Sequence, residues 1–82
     1  MKNLLRLLRA FETSLVEGEL NDKDALNRRA YEVESSAIYL EETREREEAI
    51  RIGKRLMESE EFKVRNLGSI MVSMQEGAAV TA

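Results

Sequence analysis

The sequence predicts an all-α fold: a small helical bundle, or a helical hairpin with a long central helix, built from three helices, with four as the alternative. Three observations carry this. Proline is absent and the four glycines stand apart at positions 18, 53, 68 and 77, which suits helices joined by short turns better than a sheet with many bends. Apolar residues recur at steps of three and four along most of the chain. Glutamate and arginine fall four residues apart through the middle, a spacing that supports a helix.

The first helix is expected over residues 3 to 17. Leu4, Leu8, Phe11 and Leu15 make its apolar face, flanked by Leu5, Leu7 and Val16, while Lys2, Arg6, Arg9, Thr13 and Glu17 take the other side. Gly18 supplies the left-handed position that ends a helix, and Asn21 or Asp22 can accept backbone N–H groups to begin the next. So short a connection predicts an antiparallel hairpin.

Leu26, Ala30, Val33, Ala37 and Leu40 form a narrow seam of the coiled-coil type. Its alanines admit a close neighbour, so the seam is the candidate self-association surface. Tyr31 and Ile38 lie beside it and would widen it toward the first helix, and Tyr39 points elsewhere. From Glu41 to Glu48 no large apolar residue occurs, and the stripe then resumes out of register at Ala49, Ile52 and Leu56. On an unbroken helix the face of Leu26, Val33 and Leu40 would carry Arg44, Arg51 and Arg55 instead. Either the helix breaks here or it continues and meets a different neighbour. The pairs Glu42 with Arg46 and Glu47 with Arg51, and the lack of Gly or Pro, favour continuation.

The segment from Ser59 to Glu76 reads best as a helix capped by Ser59, with Val64, Leu67, Met71 and Met74 on one face, Ile70 at its border and Gly77 at its end. A hairpin around Asn66, Leu67 and Gly68 is the alternative. Residues 1–77 then form one domain and residues 78–82 a frayed tail.

Composition excludes much chemistry. The chain has 82 residues, no histidine and no cysteine, so Cys/His zinc sites, Cys or His nucleophiles and an imidazole base are all ruled out. Ser35 and Ser36 have no base, and no glycine-rich loop offers clustered N–H groups to a phosphate. No catalytic residue, cofactor or metal is expected, and the chain reads as non-enzymatic. Glu41, Glu45 and Glu48 share a helix side, but without histidines and with arginines adjacent they read as a salt-bridged face. Asp22-Lys23-Asp24 begins like a calcium loop, yet Asn27 and Val33 stand where its glycine and glutamate belong.

No apolar stretch approaches the ~20 residues of a membrane-spanning helix. Arginines interrupt the apolar start, so it reads as mature structure and not a leader. The lack of cysteine points to the cytoplasm. A net charge of −3 gives no field to attract a phosphate backbone, so a nucleic-acid partner would depend on the local face of Arg44, Arg51 and Arg55.

A chain this small buries only about 60% of the surface its unfolded form exposes, yet it carries 25 large Leu, Ile, Val, Met and Phe side chains. Between Asn66 and Ala82 only Glu76 is charged. Met57, Leu67, Ile70, Met71 and Met74 are therefore the candidate partner interface, with closure of the chain's own core as the competing use. The expected function is stoichiometric binding to another protein, as inhibitor, adaptor or assembly subunit, with Arg44, Arg51 and Arg55 at the interface rim and a homodimer as the first form of self-association. The alternative is a dimeric helical nucleic-acid-binding or regulatory protein that uses those arginines.

Overall fold

The computed structural model describes residues 3–81, with side chains described for residues 3–77. Four helices follow one another: α1 (Leu4–Val16), α2 (Lys23–Ser35), α3 (Thr43–Leu56) and α4 (Phe62–Thr81). No strand occurs among the described residues, so the last segment is the helix and not the hairpin.

Local chemistry sets each boundary. Asn3 caps α1, its side-chain oxygen accepting from the N–H of Leu5 at 2.9 Å and of Arg6 at 3.3 Å. The helix ends on Gly18 at φ 74°, where Gly18 N–H donates to Leu15 C=O and Glu19 N–H to Ser14 C=O. These two bonds make a Schellman turn, which satisfies carbonyls that the helix end would otherwise orphan. Asp22 then caps α2 by accepting from Asp24 N–H.

The expected long central helix is not formed: α2 stops at Ser35, residues 36–42 are non-helical, and α3 starts at Thr43, so there are four helices and not three. The out-of-register stripe is the physical reason. Breaking the chain lets Leu26, Ala30, Val33 and Leu40 turn inward together with Ala49, Ile52 and Leu56, which one straight helix could not do. The freed backbone groups find partners. Gln75, buried in α4, accepts from Leu40 N–H at 3.1 Å and donates to Ile38 C=O at 2.8 Å. Arg46 donates to Leu40 C=O and Glu41 C=O, both at 2.7 Å, and to Thr43 Oγ1.

The start of α4 repeats this device. Arg65 donates to Ser59 C=O and Glu60 C=O, as Arg46 does one helix earlier, and each arginine follows a Glu-Glu pair by the same interval. Ser59 accepts from Glu61 N–H and so orders the turn before α4, which begins at Phe62. Gly77 does not end that helix, which continues to Thr81. The side chains of residues 78–81 and all of Ala82 lie outside the described residues, while the backbone of residues 78–81, part of the stretch expected as a tail, is helical.

The packed pairs are α1 with α2, α1 with α3, α2 with α4, and α3 with α4, which closes a ring around one core. Leu8, Phe11, Ile52, Val64, Leu67 and Met71 lie at its centre. The ion pairs Arg9 with Glu48 and Glu12 with Arg55 advance together along α1 and α3, so these two helices run parallel. The backbones of α3 and α4 approach each other closely at two glycines. A Cβ on Gly53 would meet Val72 Cγ2 at 2.9 Å and Gly68 C=O at 3.0 Å; one on Gly68 would meet Met57 N at 2.9 Å and run into Gly53 C=O.

Two outcomes follow for thermal unfolding, measured by far-ultraviolet circular dichroism. Gly68→Ala should cost about 2–3 kcal/mol, since backbone and not a flexible side chain stands in the way. Gly77→Ala, whose Cβ would meet no heavy atom within 4 Å, should be neutral or gain up to about 1 kcal/mol. Equal melting temperatures for the two would refute the close approach. At Gln75, replacement by Leu keeps the bulk and leaves two linker groups unpaired, at a cost of about 1–3 kcal/mol. Gln75→Glu would set a carboxylate against Ile38 C=O, which raises that carboxyl's folded pKa above its unfolded value. Its deficit should therefore shrink as pH falls through the folded pKa and the protonated acid donates again, whereas the Leu variant's should not.

Candidate partner-binding surfaces

The bundle consumes most of the surface that the sequence marks for partners. Of the candidate interface, Leu67 and Met71 are fully buried in the chain's own core, Ile70 and Met74 are half-buried, and only Met57 is exposed. Leu67 and Met71 close the core beneath the α3–α4 crossing. The seam is used in the same way: Leu26, Ala30, Val33 and Leu40 are buried within the chain, and Ala37 packs against that cluster from the non-helical linker.

Tyr31 does not widen the seam toward α1, for it is 71% exposed, and Ile38 is 59% exposed. Val16, Met57 and Phe62 are exposed as well. Phe62 lies two residues before Val64, about 200° around the helix, so α4 cannot bury both against one core. That offset is visible in the sequence. Met57 and Phe62 line one shallow groove with Arg65, Asn66 and Ser69 across the α3–α4 turn.

A second groove, of about 470 Å³, runs between the start of α1 and the linker. Leu4 and Leu40 border it together with Ile38 and Tyr39, and its charged residues are Glu41, Glu42 and Glu45. Arg46 lies over the Tyr39 ring, 4.9 Å from its centroid, and so holds the ring while its nitrogens bind the linker carbonyls. Gln75 belongs to no motif in the sequence. It follows Met71 by one turn, and a polar amide on an apolar stripe is the signal that marks it.

The arginine face is divided. Arg51 sits 3.7 Å from Glu48 and Arg55 3.4 Å from Glu12, while Arg44 is exposed in a neighbouring groove with Arg6, Arg9, Glu42, Glu45 and Glu48. The expected Glu42–Arg46 and Glu47–Arg51 pairs are not among the ion pairs of the described residues, because Arg46 serves the linker and Arg51 turns to Glu48. Among the described residues no three carboxylates gather to hold a metal ion. The Glu17 carboxyl is raised above its ordinary pKa by a hydrogen bond and like charge from Glu19, on the exposed α1–α2 turn. No helix among the described residues is long and apolar enough to cross a membrane.

Two substitutions separate core from surface. Met71→Asp should abolish cooperative unfolding and most helical signal, since it drives a charge into the α3–α4 core. Phe62→Ser should leave the unfolding free energy within about 0.5 kcal/mol of the parent, as for an exposed position. The reverse order of effects would overturn this assignment of the two residues.

No protein-family model matches the chain, and neither does any curated protein or solved structure.

Proposed function

We propose that the chain is a non-enzymatic interaction module that binds another protein stoichiometrically, as an inhibitor, adaptor or assembly subunit, through apolar side chains its own fold leaves in solvent. One observation carries the reading. Of four aromatic side chains only Phe11 is in the core, while Phe62 is 66% exposed and Tyr31 and Tyr39 also reach the surface. Aromatic residues concentrate binding energy at interfaces because they bury much area for little lost rotamer freedom. The absence of cysteine favours work in the cytoplasm.

Association of copies belongs to the same exposed positions, since the Leu26 to Leu40 seam is spent inside the bundle. Of the three arginines that the nucleic-acid alternative would use, Arg51 and Arg55 face carboxylates and Arg44 is exposed outside the ion pairs of the described residues, which weighs against a continuous cationic face.

The test is retention of a partner on the immobilised chain, its identification by mass spectrometry, and titration of the purified pair by calorimetry. A fixed integer stoichiometry is expected, with binding at least about thirtyfold weaker for Tyr31→Ser combined with Phe62→Ser. Unchanged affinity in that variant would contradict the reading. So would a mobility shift of nucleic acid that weakens steeply with salt in place of any protein partner.

A further inference from the structure

The chain divides into two helical hairpins, α1 with α2 and α3 with α4. They meet along α1 on α3 and α2 on α4, and the ion pairs Arg9 with Glu48 and Glu12 with Arg55 bridge the same boundary. A single segment, residues 36–42, joins the hairpins. Side chains alone hold its middle in the closed form. No peptide group of residues 38–41 bonds to another peptide group among the described residues; Gln75 and Arg46 supply the partners of Ile38 C=O, Leu40 N–H, Leu40 C=O and Glu41 C=O. The sequence of this segment favours a different shape. It has neither Gly nor Pro, and Ala37 and Leu40 continue the steps of three and four set by Leu26, Ala30 and Val33. The helical pattern of α2 therefore runs on to Leu40, although the helix itself stops at Ser35.

We infer that two copies of the chain exchange their α1–α2 hairpins, each hairpin packing on α3 and α4 of the other copy while α2 lengthens as helix through Leu40. The monomer itself selects the occupant. The face that α3 and α4 turn toward the first hairpin already fits it, so the hairpin of a second copy remakes the core of Leu8, Phe11, Ile52 and Met71 and both ion pairs with no new complementarity. Only the linker differs between the two forms. In the lengthened helix Leu40 N–H bonds to Ser36 C=O and no longer depends on Gln75, and the change of register is taken up as a bend at Glu41 and Glu42. Ile38 and Tyr39, exposed in the monomer, then lie where the two linkers pass each other. A local helical preference at odds with the closed fold is what makes the exchange accessible. This route to a dimer goes beyond the interaction-module reading and needs neither Phe62 nor Tyr31.

The chain has no cysteine, so a pair introduced across the boundary reports which copy supplies each hairpin. The full chain carrying Arg9→Cys with Glu48→Cys is refolded from guanidinium at micromolar and at millimolar concentration. Monomer and dimer are separated by size exclusion with light scattering, diluted, and bridged with a short bis-maleimide. On denaturing electrophoresis the monomer should show bridges within a chain and the dimer bridges between chains, and the dimer fraction should rise with refolding concentration. Gln75→Leu removes a tie that only the closed linker uses and should raise the dimer-to-monomer ratio at least about fivefold. Ile38→Gly combined with Tyr39→Gly opposes helix in the linker and should lower that ratio at least about fivefold.

A chain that stays monomeric at every refolding concentration overturns the inference. A dimer whose bridges all run within chains does so as well, since its copies then meet through outer surfaces with their hairpins unexchanged. A dimer ratio that Gln75→Leu lowers, or that the two glycines leave unchanged, also overturns it. Should Gln75→Leu fail to fold by circular dichroism, the bridge pattern and the glycine variant decide the matter. Retention of a different protein through Tyr31 and Phe62 is independent of all these results, so the interaction-module reading stands or falls on its own test.

Discussion

The backbones of α3 and α4 meet at Gly53 and Gly68 with no room for a methyl group on either, and this contact governs how the remaining elements are placed. Two helices at ordinary separation keep 8–10 Å between axes. Glycines allow a closer approach, which brings Ile52 and Leu56 of α3 against Leu67 and Met71 of α4 and buries all four. Because α4 also packs on α2 and α3 on α1, the pair acts as the wall on which the N-terminal hairpin rests. The conformational cost of two helical glycines, about 0.5–1 kcal/mol each, is offset by the apolar area that the crossing removes from water.

The linker between α2 and α3 is the second consequence of that wall. Helices α2 and α3 do not pack on one another, so the chain must pass from one to the other while Leu40 fills the space it crosses. An irregular segment beside a core carries peptide groups that need partners. Gln75 and Arg46 provide them, and no buried side-chain nitrogen or oxygen is left unpaired among the described residues. The same ties that satisfy the backbone hold Ile38 and Tyr39 outward in one arrangement, so a structural requirement of the fold yields a presented surface.

Much of the architecture was legible in the sequence, and the misses have a common cause. The first helix, its glycine turn, the Asp22 start and the helical nature of the last segment follow from periodicity and capping, which are local. The break at residues 36–42 was present as a change of register, but the choice between bending and a new neighbour depends on distant groups, Gln75 above all. A seam with alanines reports that something approaches closely without saying what. Leu26, Ala30, Val33 and Leu40 meet the rest of their own chain, and Leu67 and Met71 likewise face inward. The large apolar and aromatic side chains left exposed therefore include Phe62, Tyr31, Ile38 and Tyr39, residues that lie off the stripes. Phe62 was readable from its angle to Val64, whereas the exposure of Ile38 depended on a linker that local patterns could not place.

Native-state amide hydrogen exchange tests the central claim most directly, because it reports where the α3–α4 crossing and its tied linker resist opening. The account predicts the slowest exchange at amides flanking Gly53 and Gly68, and protection at Leu40 that far exceeds that of Tyr39 although both lie outside any helix. It is contradicted if α1 or α2 holds the most protected amides, or if Leu40 exchanges as fast as Tyr39.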